Sequence, residues 1–207
     1  MPYPAVIAVA RTVVDMGFTR EQLEAARDVT VPDLIGPGLG LLFVGINPGL
    51  WTAAAQTHFA HPGNRFYPAL LLAGIVEREI DRGGGMSDDD RAHLIRRGIG
   101  ITNVVHRTTA RASELTAAEL RAGGVELRAF VRAHRPLVVA IAGITAYRSA
   151  FELPKAAMGE QPEAFEGARL WVVPNPSGLN AHETLESLAA AYREPAVAAG
   201  LVPASGS

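Results

Sequence analysis

The 207-residue sequence contains no cysteine. That excludes disulfides, thiolate nucleophiles, cysteine-ligated zinc and iron–sulfur clusters, and it suits a reducing compartment. Lysine is almost absent too: Lys155 is the single one, and every other basic side chain except histidine is an arginine. There is no excess of positive charge. A formal net charge of −2 sets the chain apart from proteins that coat nucleic acid in bulk, which are basic, although a total says little about one local face. No apolar run is as long as a membrane span. The opening stretch, MPYPAVIAVARTVVDMGF, lacks a basic start and a small-residue cleavage site and is interrupted by Arg11 and Asp15, so it does not read as a signal peptide. Internal repeats, low-complexity tracts, a G-x-G-x-x-G loop and a phosphate-cradling loop followed by Lys-Ser or Lys-Thr are all missing.

What is present describes one domain with an ordinary core: 48% apolar and 19% charged residues. Helical and strand patterns alternate. Thr19 with Gln22 forms a capping box for REQLEAAR, Ser87 caps DDDRAHLIRR, and Thr116 with Glu119 opens a helix that runs towards His134. NRFYPALLLAG reads as a helix with Pro68 in its first turn, ITAYRSAF as another, and ETLESLAAAYRE as the last. Residues 41–46, 99–105, LVVAIA after Pro136, and RLWVVP read as strands. Strands that are apolar on both faces and separated by helices predict an α/β fold with a mostly parallel sheet covered on both sides. In such sheets the site lies beyond the carboxyl ends of the strands. DRGGGMSDDD and the tail AGLVPASGS look frayed.

Two loops leave strand ends with unusual chemistry. In GINPGL, Gly45 and Gly49 permit sharp turns and close approach, and Pro48 biases Asn47 towards an extended backbone. Asn47 offers one acceptor and two donors and does not titrate. It suits the holding of a water or a polar substrate edge, while on its own the commoner role for such an asparagine is to cap its turn. The second loop, PNPSGLN, repeats Asn-Pro at a strand end and adds Ser177, Gly178 and Leu179. A leucine on such a turn either folds back onto the core or stands exposed as a wedge able to enter a base stack.

GINPGL, then FAHPGNRFYPAL, then ITNVVHRTTARASEL, then NPSGLN together resemble the mismatch-specific uracil-DNA glycosylase family, the branch that includes the thymine-DNA glycosylases. The resemblance runs from about Leu34 to about Arg193. It implies a three-layer α/β/α sandwich, with residues 1–33 as an N-terminal extension bearing a short helix, 34–195 as the glycosylase domain and 196–207 as a flexible tail. It also implies hydrolysis of the N-glycosidic bond of a mispaired or damaged pyrimidine after base flipping. By the resemblance, Asn47 falls on the asparagine that positions water and Ile46 on a backbone contact to the base. Phe59 falls on the stacking aromatic, and Asn175 and Ser177 fall in the second active-site loop. Gly178, Leu179 and Asn180 fall on the segment that enters the gap and reads the widowed guanine. Gly49 lies in the first loop, Thr52 lies near the pyrimidine C5 position, and Asn103 stands where some relatives carry lysine.

The chain also departs from that pattern. WTAAAQT, residues 51–57, has no glycine near Gln56, and after Leu179 the expected arginine is replaced by NAHETL, with His182 as the substitute on offer. Arg107 is open to two roles, phosphate contact or a surface salt bridge. His58 and His61 lack a third ligand at helical spacing, and no metal is expected. Asp88, Asp89 and Asp90 read as helix N-terminal charges, and Arg128, Arg132 and Arg135 as a solvated helix face.

The expectation is therefore a cofactor-free monomer acting on double-stranded DNA in the cytoplasm of a prokaryote, at the nucleoid and not at a membrane. Its substrate would be uracil, chiefly opposite guanine, with ethenocytosine and thymine as further candidates. Neither loop holds an amine nucleophile, so hydrolysis rather than strand nicking is expected. The alternative is a non-catalytic mismatch-binding protein on the same fold.

Overall fold

The computed structural model describes residues 17–204; the apolar stretch at the N-terminus lies outside them as far as residue 16. Five strands form one sheet: β1 (Leu41–Gly45), β2 (Ile99–Asn103), β3 (Val138–Ala142), β4 (Gly159–Glu160) and β5 (Arg169–Val173), in the order β2-β1-β3-β5-β4. β2, β1, β3 and β5 run parallel, and the two-residue β4 closes the edge antiparallel to β5. The parallel arrangement follows from composition. β1 (LLFVG) and β3 (VVAIA) carry no polar side chain and are buried along their whole length, so each is covered on both faces.

The covering helices are α1 (Arg20–Ala25), α2 (Leu50–Ala54), α3 (Phe66–Leu72), α4 (Asp88–Arg96), α5 (Ala117–His134), α6 (Ile144–Phe151) and α7 (Leu185–Ala198). Alternate strand residues point to opposite faces, and the sheet divides its core accordingly. Leu41, Phe43, Ile101, Ala140, Trp171 and Val173 pack beneath α3, α4 and α7. Leu42, Val44, Val139, Ile141, Leu170 and Val172 pack beneath α5 and α6. The result is the three-layer α/β/α sandwich anticipated from the sequence. The caps of α1, α4 and α5 form as the local sequence dictates, with Thr19, Ser87 and Thr116 each accepting a backbone N–H three residues on. No helix among the described residues is long and apolar enough to cross a membrane.

Several boundaries differ from expectation. β1 ends at Gly45 and β2 at Asn103, because Val104 and Val105 turn their N–H groups to the carbonyls of Gly45 and Ile46 in the loop. The final helix does not stop before Pro195 but continues to Ala198, and Ala196, Ala199 and Val202 are buried in the core. The segment from 196 to 202 is therefore packed, not frayed. The glycine-rich stretch is anchored as well: Met86 donates its N–H to Thr57 Oγ1 at 2.7 Å. Residues 26–34 belong to the body of the domain. Ala26 and Val31 pack on Ala53, and Leu34 exchanges backbone hydrogen bonds with Ile101.

Two buried phenols tie the carboxyl end of the sheet to the helices below. Tyr67 of α3 donates to the His58 carbonyl at 2.9 Å, and Tyr192 of α7 donates to the Pro174 carbonyl at 2.9 Å. Burial pushes both phenols far above their ordinary pKa, so they serve as fixed donors. Both carbonyls lie where a site loop begins.

Candidate active site

β1 and β5 flank β3, so the loops leaving them open onto the same end of the sheet. Between them lies a cavity of about 170 Å³, bordered by Ile46, Asn47, Thr52, Phe59, Asn103 and Asn175 among others. It is smaller than the roughly 300–1,000 Å³ of drug-sized sites and matches a single small ring. Gly49 and Ser177 also border it, as do His58 and His61.

Asn47 is held by its amide nitrogen. Nδ2 lies 2.9 Å from the Arg107 carbonyl, 2.8 Å from Thr109 Oγ1 and 3.2 Å from the Pro48 carbonyl. The two carbonyls can only accept. The Thr109 hydroxyl spends its own proton on the Arg111 carbonyl at 2.8 Å, so towards Asn47 it accepts as well. Three acceptors facing one end of the carboxamide fix that end as NH₂. Asn47 Oδ1 is then the end left over, and among the described residues no donor reaches it. A neutral oxygen acceptor on the wall of a polar cavity is suited to hold a water.

Phe59 has a left-handed backbone, φ 56°, which turns its ring beneath the cavity. One ring face stacks on Phe66, with centroids 4.1 Å apart. An occupant of the cavity would take the other face. Gly45 is required here by close approach: a Cβ would meet Asn103 Oδ1 at 2.6 Å and the Phe59 ring at 3.3 Å. Gly49 has no such need. Its φ is −83° and nothing lies within 4 Å of a Cβ built on it, so a side chain there would enter the open space that borders the cavity. Gln56 stands where a glycine was missed in the sequence, and it does adopt a left-handed backbone, φ 48°, with Nε2 donating to the Ala53 carbonyl at 2.8 Å.

The second loop is organised by its own polar groups and by Arg65. Asn175 Oδ1 accepts the Ser177 N–H at 3.0 Å, and Asn180 Nδ2 donates back to the Asn175 carbonyl at 3.1 Å. Asn180 Oδ1 takes the His182 N–H at 3.3 Å. The Asn180 carboxamide thus makes one bond inside the loop through each of its ends, which fixes its orientation. Arg65 donates to the carbonyls of Ser177 and Asn180, both at 2.9 Å, and to that of Glu183. Gly178 approaches the neighbouring turn so closely that a Cβ would lie 2.6 Å from the Gly63 carbonyl oxygen. Leu179, at the tip, is 94% exposed, the wedge-like alternative and not the folded-back one. His182 is exposed beside it.

Arg107 contributes through its backbone. Its carbonyl holds Asn47, while its guanidinium pairs with Glu119 at 2.7 Å. Of the two roles open in the sequence, the ion pair is formed. That hydrogen bond is the main reason the Glu119 carboxyl is held down to about 2. Arg128 and Arg132 lie on a solvent-facing side of α5, as expected, and there share Glu166. Among the described residues no group of three or more His, Asp or Glu is placed to hold a metal ion.

Arg65 and Thr109 were not singled out in the sequence, and His58 was weighed there only as a metal ligand. The only hint for Arg65 was its place in GNRF, next to the aromatic motif. Thr109 lay within the quoted VVHRTTARASEL without an assigned role.

The fold and this end-of-sheet cavity define an α/β/α protein with a polar pocket for one small ring and an exposed apolar tip beside it. The sequence profile of the Uracil DNA glycosylase superfamily matches residues 32–197, and the chain belongs to that superfamily. Its fold is also similar to the solution NMR structure of a protein from Methanosarcina acetivorans, named provisionally as a uracil DNA glycosylase. The TM-score is 0.54 at 16% identity, covering 81% of this chain and 98% of that one.

Proposed function

We propose that this protein is a monofunctional DNA glycosylase that flips uracil out of duplex DNA, chiefly from G·U pairs, and hydrolyses its N-glycosidic bond. One observation carries the reading: the Asn47 carboxamide is pinned through its nitrogen, so its oxygen remains to receive a water at the cavity wall. The supporting geometry is a ring-sized cavity floored by Phe59 and an exposed Leu179 beside it, able to occupy the gap left in the duplex.

The chemistry follows from what these groups can do. The flipped pyrimidine stacks on the free face of Phe59. The C1′–N1 bond breaks, its electron pair leaves with the base as an anion, and the sugar becomes oxocarbenium-like. Water held by Asn47 Oδ1 adds to C1′ and releases its proton to solvent, from which the departed base anion takes one up, leaving an abasic site and free uracil. Asn47 orients this water but cannot deprotonate it, so the barrier is lowered by positioning and by fixed dipoles. Such an enzyme is slow and depends on a good leaving group. It favours mispaired bases because they cost less to unstack. Thr52 is buried against the small cavity, which favours uracil over thymine with its extra methyl.

The test is a labelled duplex with one G·U pair, treated with protein and then alkali. Wild type should produce alkali-labile sites. Asn47→Ala should bind the duplex and fail to cleave it. Binding without alkali-labile sites in the wild type would leave a mismatch-binding protein instead, and an Asn47→Ala variant that cleaves as fast as wild type would refute the mechanism.

A further inference from the structure

Asn103 ends β2 directly opposite Gly45 and is 5% exposed. Which end of its carboxamide faces the cavity decides which bases the cavity can accept, and a second buried side chain settles that. His58 Nε2 lies 3.0 Å from the Pro32 carbonyl, and His58 Nδ1 lies 3.2 Å from Asn103 Nδ2. A carbonyl only accepts, so Nε2 carries a proton. His58 is itself 5% exposed, and burial lowers its pKa below the ordinary histidine value, so the ring is neutral and Nδ1 is a bare lone pair. The Asn103 group facing that lone pair must be the NH₂ end. Oδ1 is then turned towards Gly45 and the Phe59 ring, where a glycine Cβ would strike it at 2.6 Å.

We infer that His58 is a positioning residue that fixes the Asn103 carboxamide with its oxygen towards the cavity, so that the site selects bases presenting a ring N–H. This rests on the glycosylase reading and deepens it. Uracil carries a proton on N3, which an acceptor can take. Cytosine carries a lone pair on N3, which would face the Asn103 oxygen unpaired. A buried site built to pair with an N–H rejects the partner that lacks it more strongly than a shape-only pocket would. His58 touches no substrate in this scheme. The chain Pro32–His58–Asn103 also gives the segment before β1 a part in base choice.

The orientation is tested first without any substrate. Nitrogen-15 spectra of labelled wild-type protein should show His58 neutral, protonated on Nε2 and bare on Nδ1; a proton on Nδ1 would overturn the inference. Single-turnover cleavage then compares duplexes carrying uracil or N3-methyluracil opposite guanine. His58→Leu removes the acceptor that holds Asn103. Uracil then loses its oriented partner while N3-methyluracil, which never had one, loses nothing, so the rate ratio should shrink by about tenfold, the worth of one hydrogen bond. His58→Gln can still offer an oxygen to Asn103 and should restore most of the ratio. If both substrates slow equally in His58→Leu, or if Gln rescues no better than Leu, His58 is merely structural. Should wild type cleave no uracil at all, the glycosylase reading itself falls, and the nitrogen spectra still judge the orientation.

Discussion

Removing one hydroxyl that touches no substrate should slow the proposed reaction. Thr109 is 1% exposed, and its Oγ1 accepts from Asn47 Nδ2 at 2.8 Å while donating to the Arg111 carbonyl at 2.8 Å. Thr109→Val keeps the shape and deletes both hydrogen bonds. Each has a net worth of about 1 kcal/mol. Arg111 is exposed, so water can reach its carbonyl, and the loss of stability should stay near 1–2 kcal/mol. For a chain of this size that is a fall in Tm of about 2–4 °C per kcal/mol. The catalytic effect has a different origin. Asn47 keeps the Arg107 carbonyl at 2.9 Å, and its second N–H turns to the Pro48 carbonyl, now 3.2 Å away. That rotation carries Oδ1 with it and moves the water it holds. A misplacement costing about 1.4 kcal/mol in the transition state lowers the rate tenfold, with little change in KM, because the base is gripped elsewhere. The assay is single-turnover cleavage of a G·U duplex well below Tm, beside a thermal melt, with Thr109→Ser as the control that keeps the hydroxyl. If Thr109→Val loses stability as expected yet cleaves within twofold of wild type, the pinning of Asn47 does not matter to the chemistry.

Three further outcomes follow from other contacts. Arg65→Met removes the donor shared by the carbonyls of Ser177, Asn180 and Glu183; stability should fall by about 2–3 kcal/mol, and hydrogen exchange should quicken across 177–183, with unchanged exchange there counting against the clamp. Leu179→Ala should leave the melting curve within about 0.5 kcal/mol of wild type, since the side chain is 94% exposed, yet slow cleavage in duplex DNA while sparing uracil in single strands; equal losses on both would refute the wedge. The Glu119 carboxyl is held below its ordinary value of 4.5, at about 2, so its pairing with Arg107 stabilises the fold above pH 4.5 and that contribution is lost as pH falls towards 2. The gap in urea midpoint between wild type and Arg107→Gln should accordingly be present at neutral pH and close in acid, and a gap independent of pH would refute the ion pair.

What the sequence made legible was mostly what lies within a few residues of itself. Thr19, Ser87 and Thr116 cap their helices through partners three positions away, and the strands of Leu, Val and Ile declare their burial by composition. Asn47, Phe59 and Leu179 were found through motifs, and all three lie at the same end of the sheet. What escaped depends on distance along the chain. Arg65 meets partners 112 to 118 residues away, and His58 joins Pro32 and Asn103 across 26 and 45 residues. No local pattern announces such pairs. The two-residue β4 is too short to carry a pattern. The last helix, read from ETLESLAAAYRE, runs on through Pro195 to Ala198, and Ala196, Ala199 and Val202 beyond the proline are buried; that packing depends on the rest of the core and not on the local sequence.

The contacts that escaped the sequence join the two halves of the site. Arg65 lies six residues after Phe59 and next to Phe66, on which Phe59 stacks. Its N–H donates to the Pro176 carbonyl at 3.0 Å, and its guanidinium holds the carbonyls on either side of Leu179. Gly178 pressed against Gly63 closes the same junction from the other side. The segment that floors the cavity and the segment that carries the exposed leucine are therefore one rigid unit. An enzyme that extracts a base and fills the gap needs that unit, because the distance from an extruded nucleotide to its vacated place is set by the duplex. If the two segments moved independently, ordering them would draw on binding energy at each encounter. A prebuilt spacing removes that cost before DNA arrives. The same argument explains why Leu179 can stand exposed: its backbone is fixed from below by an arginine whose partners are all main-chain carbonyls, so the tip needs no packing of its own to hold its place.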